Sequence, residues 1–296
     1  MKVLVSGGTG LVGRYIVETL SKAGCEVLVA GRTPPASGLF SKPVDFRAAR
    51  LDPHWKPDAL FDAVDVFIHA AFEHLPGQYR GGEGDDPDGF RRSNLLGTIN
   101  FFDAAKRMGV QRAIFLSSRA VYDGVASGTR LTEPLEVRPT SLYGEIKLLG
   151  EQALAALNAP GFTTSSLRLT GVYGDLRPNK WDGLFADYLA GHEIPVRAGS
   201  EVHGRDVGQA VQLMLATDPA RVGGKAFNVS DVIADTHDIL SLYKAATSCR
   251  HPLPLPADKS AVAAMATDRI RSLGWKPGGM ALLRETLEHL AVKAQT

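Results

Sequence analysis

Lys2-Val3-Leu4-Val5-Ser6 runs straight into Gly7-Gly8-Thr9-Gly10-Leu11-Val12-Gly13, and the reading of this stretch decides the fold. A short β-branched apolar run stops at glycines. Beyond them Leu11, Val12, Tyr15, Ile16 and Leu20 recur at helical spacing. The pattern predicts strand, tight turn, helix. Gly7 permits the turn, Gly10 lets a phosphate approach the backbone without meeting a Cβ, and Gly13 lets the helix lie close on the strand. The helix start then offers N–H groups and a partial positive charge to a pyrophosphate. Glycines also make ordinary turns. A triplet placed directly after a first strand and opening a helix points instead to a dinucleotide site.

The rest of the composition suits that reading. The chain has 296 residues, 44% of them apolar, enough for one large α/β domain with a smaller lobe. Its 33 basic and 32 acidic residues leave a net charge of +1, so no basic excess calls for nucleic acid or an anionic membrane. Cys25 and Cys249 supply neither a disulfide framework nor metal-ligand spacing, so no metal and a reducing compartment are expected. No signal peptide is expected before a strand that starts at residue 2, and no apolar run approaches the ~20 residues of a membrane span. A cytoplasmic protein is therefore expected.

A second strand, 26–30, ends at Gly31-Arg32. In a dinucleotide fold this strand end meets the adenosine ribose, where an acid binds the 2′-hydroxyl of NAD and an arginine takes the 2′-phosphate of NADP. Arg32 stands there without an acid. It reads either as a phosphate ligand or as a solvated loop arginine. The first reading makes NADP(H) the preferred cofactor over NAD(H), with Arg14 as a second positive charge. A short strand is expected over 44–51, and Asp52 after it either reaches the adenine edge or caps the following turn. Residues 64–71 read as a buried strand whose last residues, Ala70 and Ala71, leave room for a flat ligand. His69 in that strand reads as a satisfied near-core histidine. The Gly-, Asp- and Pro-rich stretch 72–92 follows the strand's C-terminal end, and is expected to be a flap, mobile without substrate and ordered with it. Helices are expected over 94–108, with Leu95, Ile99, Phe102, Ala105 and Met108 on one stripe, and over 140–157. Strands are expected over 112–116, stopping at Ser117-Ser118, and over 162–169. Strands alternating with helices, mostly as continuous apolar runs, predict a doubly wound, Rossmann-type parallel sheet within 1–169. The remainder, 170–296, is expected to form a smaller substrate lobe: loop 170–180, helix 181–190, a short strand 227–229, helices 237–247 and 280–293. The chain is expected to return to the sheet somewhere within 202–230.

Tyr143 and Lys147 lie four apart on a predicted helix and share a face. Ser118 ends the strand before it. A tyrosine titrating near ~10 is a poor base at neutral pH. A lysine ammonium beside it and a positive nicotinamide ring favour the phenolate. Tyr143 then takes a proton from a substrate hydroxyl as hydride leaves the same carbon, or returns one to a ketone, while Ser118 holds the reacting oxygen.

With these residues in place, the chain resembles the extended short-chain dehydrogenases/reductases, the NAD(P)-dependent sugar epimerase/dehydratase group. The matching pieces are GGTGLVG (7–13), VFIHAA (66–71), NLLGTINFFDAAKRMGV (94–110), FLSSRAVYD (115–123), PTSLYGEIKLLGE (139–151), LRLTGVYGD (167–175) and LGWKP (273–277). The resemblance implies Ser118, Tyr143 and Lys147 as the catalytic set. It implies cofactor contacts at Gly7, Thr9, Gly10, Leu11, Val12, Gly13, Arg32, Asp52, Ala70, Ala71, Ser117, Tyr143, Lys147, Thr170, Gly171 and Val172. A homodimer through two helices per subunit is common in the family.

Three departures narrow the expectation. Dehydratases of the family carry an Asp-Glu pair after the catalytic residue; Arg119 and Ala120 stand there, so no dehydratase is expected. The stretch 195–206 (PVRAGSEVHGRD) is short beside the nucleotide-sugar members, with Arg197 or Arg205 as substitutes for their diphosphate-binding arginine. Arg32 replaces the acid typical of NAD-using epimerases. The expected activity is hydride transfer between NAD(P) and a secondary alcohol or ketone of a sugar-like substrate. The alternatives are an NAD-dependent sugar epimerase and, outside enzymes, an NADP(H)-binding redox sensor. Expected substrate contacts are Glu73, His74, Arg119, Tyr173, Arg177, Asn179 and Trp181, with Trp181 and Trp275 better suited to packing the lobe interface.

Overall fold

A computed structural model describes residues 1–75, 82–177, 179–247 and 249–292. The elements are β1 (Lys2–Ser6), α1 (Leu11–Lys22), β2 (Glu26–Gly31), β3 (Asp45–Ala48), β4 (Val66–His69), α2 (Pro87–Arg91), α3 (Gly97–Arg107), β5 (Arg112–Ser118), α4 (Leu142–Ala156), β6 (Thr163–Leu169), β7 (Gly171–Tyr173), α5 (Asp182–Leu189), β8 (Ala198–His203), α6 (Gly204–Ala216), α7 (Pro219–Val222), β9 (Lys225–Val229), β10 (Val232–Asp235), α8 (Thr236–Ala246), α9 (Asp268–Arg271) and α10 (Gly279–Val292).

Seven strands form one sheet in the order β3-β2-β1-β4-β5-β6-β9, with every pairing parallel. This is the doubly wound α/β arrangement expected from the sequence. The side-chain period of two in β1 sends Val3 and Val5 to one face, with Ile16, Val17, Leu20, Val207, Val211 and Met214 of α1 and α6. Leu4 goes to the other face, with Phe101, Phe102 and Leu154 of α3 and α4. The strand order reverses between β1 and its two neighbours β2 and β4, so a crevice opens at their C-terminal ends. The register aligns Ser6 with Ala30 on one side and His69 on the other.

The expected loop 170–180 holds β7, which joins β8 and β10 in a second, three-stranded sheet. That sheet and α5, α8 and α10 enclose a core of Tyr173, Trp181, Phe185, Tyr188, Tyr243, Leu283, Leu287 and Leu290. The chain leaves it through α6 and α7 and returns to the large sheet as β9.

Part of the stretch expected as a flap, 72–92, is helix rather than loop. Residues 76–81 lie outside the described residues. From Pro87 the chain is already helical, because Asp86 accepts the Gly89 N–H at 2.8 Å and proline suits a first helical position. Helix α2 runs through a π-helical turn, Arg92–Leu96, into α3. The buried stripe of α3 includes Phe101 and Ala104, whereas Met108 at its end is exposed. Among the described residues no helix is long and apolar enough to cross a membrane.

Candidate active site

The crevice holds a groove of about 930 Å³, lined at one end by Gly7, Thr9, Gly10, Leu11, Val12 and Gly13. Gly7 adopts φ +69°, and a Cβ there would lie 2.6 Å from the Ala71 nitrogen. A Cβ at Gly13 would collide with the Gly7 carbonyl oxygen. The turn is closed by the Gly10 N–H on that same oxygen at 3.0 Å. No side chain caps α1, which leaves its first N–H groups for a ligand. A glycine-walled cradle on a helix N-terminus, inside a groove of dinucleotide size, fits the expected cofactor.

Arg32, Asp52, Ala70, Ala71, Glu73 and His74 line the same groove. Asp52 lines the groove, and its Oδ1 accepts the His54 N–H at 2.8 Å, which is the turn-capping reading. The Arg32 side chain is 77% exposed and lies 3.3 Å from the Glu73 carboxylate. Glu73 and His74, expected at the substrate, therefore stand on the wall of the cofactor groove. Arg14 does not supply a second charge there. It is buried, and its guanidinium donates to the Arg177 carbonyl. His69 is fully buried between Ser6 Oγ (2.7 Å) and Thr98 Oγ1 (2.9 Å), and burial pushes its pKa down to about 3. It is the satisfied core histidine its sequence context predicted.

Ser118, Tyr143 and Lys147 do not themselves line this groove; Phe72, which does, joins them to it. That ring meets Tyr143 edge to face, with centroids 5.0 Å apart. Helix α4 carries Tyr143 and Lys147 against the end of β5. Ser141 caps it through the Gly144 N–H, and a Cβ at Gly144 would collide with the Ala120 carbonyl oxygen. Only glycine lets the helix come this near. Lys147 is 4% exposed and donates to the Leu116 carbonyl at 2.9 Å. Burial pushes its pKa down to about 7, against the opposing pull of the Glu151 carboxylate. Ser118 Oγ accepts the Ala120 N–H at 3.1 Å, which leaves its own O–H to donate elsewhere.

Beneath this centre lies a buried polar chain that the sequence reading did not foresee. Arg168 forks onto Glu151 at 2.7–3.1 Å and donates to Tyr122 Oη at 2.8 Å, which donates to Asn228 Oδ1 at 2.9 Å. Ser117 belongs to it: its hydroxyl donates to Glu151 Oε1. Spacing gives no sign of a network whose members are tens of residues apart.

The remaining candidates fall elsewhere. Thr170, between β6 and β7, bonds through Oγ1 to Ser200; in β7, Gly171 abuts Glu201 and Lys180, and Val172 lies in the core. Tyr173 is fully buried, stacked on Trp181 at 5.1 Å, and so serves the lobe's core rather than the cleft. Asn179 braces a turn through the Trp181 N–H and the Gly174 carbonyl. Arg177 lies 3.4 Å from Asp182. Arg119 donates to the Ala263 carbonyl at 2.9 Å, joining the end of β5 to the C-terminal segment. Arg205 pairs with Asp175 and Glu285, and Arg197 is exposed. Trp275 is buried and donates to the Asp206 carbonyl at 3.0 Å, a packing role as expected.

Residues 3–230 match the model of the NAD-dependent epimerase/dehydratase family. A 3 beta-hydroxysteroid dehydrogenase/Delta 5→4-isomerase of Mycobacterium tuberculosis is 32% identical over 200 residues, covering 64% of this chain and 52% of that protein. The chain thus spans about half the length of this relative. A UDP-glucose 4-epimerase of Lactobacillus helveticus is 28% identical over 94% of this chain and 92% of its own length. The crystal structure of a Thermus thermophilus UDP-glucose 4-epimerase in complex with NAD superimposes with a TM-score of 0.77, at 25% identity, over 98% of this chain and 99% of that one.

Proposed function

The chain belongs to the NAD-dependent epimerase/dehydratase family, and from that membership and the site's geometry we propose that it is an NAD(P)-dependent oxidoreductase acting on a secondary alcohol or ketone of a sugar-like substrate. The observation that carries the reading is the joint placement of Tyr143 and buried Lys147 on α4, with Nζ fixed 2.9 Å from the Leu116 carbonyl beside Ser118. The residues of the glycine cradle and of the groove up to Ala71 would hold the dinucleotide, which would supply hydride-transfer chemistry there. Tyr143 Oη, as phenolate, takes the proton of the substrate hydroxyl, or, as phenol, gives one to a ketone oxygen. Lys147, as ammonium, stabilises the phenolate form. Ser118 donates a hydrogen bond to the same oxygen, where negative charge grows in the transition state.

Arg32 on the groove wall supports NADP(H) as the preferred cofactor, because a guanidinium makes paired charge-assisted hydrogen bonds to phosphate. The epimerase reading draws its support from a relative that matches over nearly the whole chain. A panel of sugars, sugar acids and nucleotide sugars, offered with each cofactor, separates the two when nicotinamide absorbance and product stereochemistry are followed together. Net cofactor turnover supports the oxidoreductase. Inversion of one carbinol centre without net turnover replaces it by the epimerase.

A further inference from the structure

We propose that Phe72 is a positioning residue of the reaction centre: its ring face holds the Lys147 ammonium and its edge-to-face contact holds the Tyr143 ring, so that both keep one alignment beside the groove that Phe72 lines. The inference rests on the reading of Tyr143 and Lys147 given above. Lys147 Nζ lies 4.5 Å from the Phe72 centroid and 4.8 Å from that of Phe115. An ammonium over two aromatic faces is attracted by their quadrupoles, the more strongly when water is excluded. Lys147 is 4% exposed.

Phe72 itself is held from two sides. Buried Asn94, inside the π-helical turn, clasps the backbone of the next residue: the Glu73 N–H donates to Oδ1 at 2.6 Å, and Nδ2 donates to the Glu73 carbonyl at 2.8 Å. Phe90 of α2 meets the ring edge to face at 5.4 Å. The ring is therefore a fixed wall shared by the groove and the Tyr143–Lys147 pair.

The charged and titratable groups around Lys147 are known. Glu151 and Tyr143 share its helix, and Arg168 of β6 is paired to Glu151. His69 of β4 is held neutral by burial. Glu73 and His74 follow Phe72, with Glu73 turned to Arg32. None of these replaces an aromatic face on the ammonium. Burial opposes the charged form of Lys147, and the ring faces oppose that effect.

The test replaces Phe72 with mono-, tri- and pentafluorophenylalanine, which keep nearly the same shape while the ring quadrupole weakens and then reverses. Lysine labelled with carbon-13 at Cε reports each titration by NMR, the Lys147 signal being the one lost in Lys147→Met. The Lys147 midpoint is expected to fall stepwise along the series, by about one pH unit in total, a tenfold change in the ratio of ammonium to amine. Phe72→Leu, which needs no unnatural residue, is expected to shift it the same way. A midpoint that stays fixed across a natively folded fluorinated series, or that rises, overturns the proposal. Such a result leaves the catalytic reading standing, since that reading falls only if Tyr143→Phe retains turnover.

Discussion

Lys147 shows how one residue carries both a cost and a function. Its ammonium is buried, and its pKa is pushed from the ordinary 10.5 to about 7. Between those values the unfolded chain binds the proton and the folded chain releases it, so this residue makes stability rise with pH over that window. Lys147→Met removes the titration. The stability of the variant relative to wild type is expected to be greatest near pH 7 and to shrink by up to a few kcal/mol towards pH 10. Urea unfolding of both proteins at three pH values checks the slope, and a difference independent of pH contradicts it. On the groove wall, Arg32 lies 3.3 Å from the Glu73 carboxylate, and the proposed NADP(H) preference is tested at this pair. Arg32→Ala is expected to weaken NADPH by roughly 1–3 kcal/mol while sparing NADH. Glu73→Gln removes a carboxylate that competes for the guanidinium, and is expected to tighten NADPH by up to ~1 kcal/mol, as for an exposed pair. Titration of both cofactors into the three proteins measures both effects, and equal NADPH and NADH affinities in wild type contradict the assignment.

At the scale of elements, close approach decides what the site can hold. Helix α4 reaches the end of β5 because residue 144 has no side chain. Gly144→Ala is expected to cost ~1–3 kcal/mol of stability by overpacking, and to lower kcat more than cofactor affinity, since Tyr143 moves while the glycine cradle does not. Helix α10 is tied down at its start: Asp206 of α6 accepts the Gly278 N–H at 3.1 Å, and Asp231 accepts the Gly279 N–H at 2.7 Å. Burial, with Asp231 adding to it, raises the Asp206 pKa from 3.8 to about 6. The folded chain therefore binds a proton that the unfolded chain has lost, and this site makes stability rise as pH falls from 7 towards 4. Asp206→Asn keeps an acceptor and removes the charge. It is expected to stabilise the protein at pH 7 by about 1–2 kcal/mol, with the gain gone near pH 4. Thermal unfolding at the two pH values decides this.

Across the whole molecule, what could be read in advance was what short-range pattern encodes. The glycine triplet, the apolar runs of β1, β2, β4 and β5, and the four-residue spacing of Tyr143 and Lys147 are all local signals, and they placed the crevice and put Tyr143 and Lys147 on one helix. Helix α6 left a usable sign in Val207, Ala210, Val211 and Met214, although it was not read. Strands β7 and β8 are short and partly polar, and their pairing is set by the second sheet rather than by their own residues. Phe72 looked like the first residue of a flap because the Asn94 clasp that fixes it is non-local. Tyr173 and Asn179 looked like cleft residues for the same reason: sequence order gives nearness to a strand end, while burial depends on the lobe that folds over them. The account as a whole rests on proton transfer at Tyr143, and comparison of wild type with Tyr143→Phe on the substrate found in the panel tests it most directly. It predicts a kcat lowered by ~10²–10⁴-fold with cofactor affinity nearly unchanged; a variant that keeps most of its kcat contradicts it.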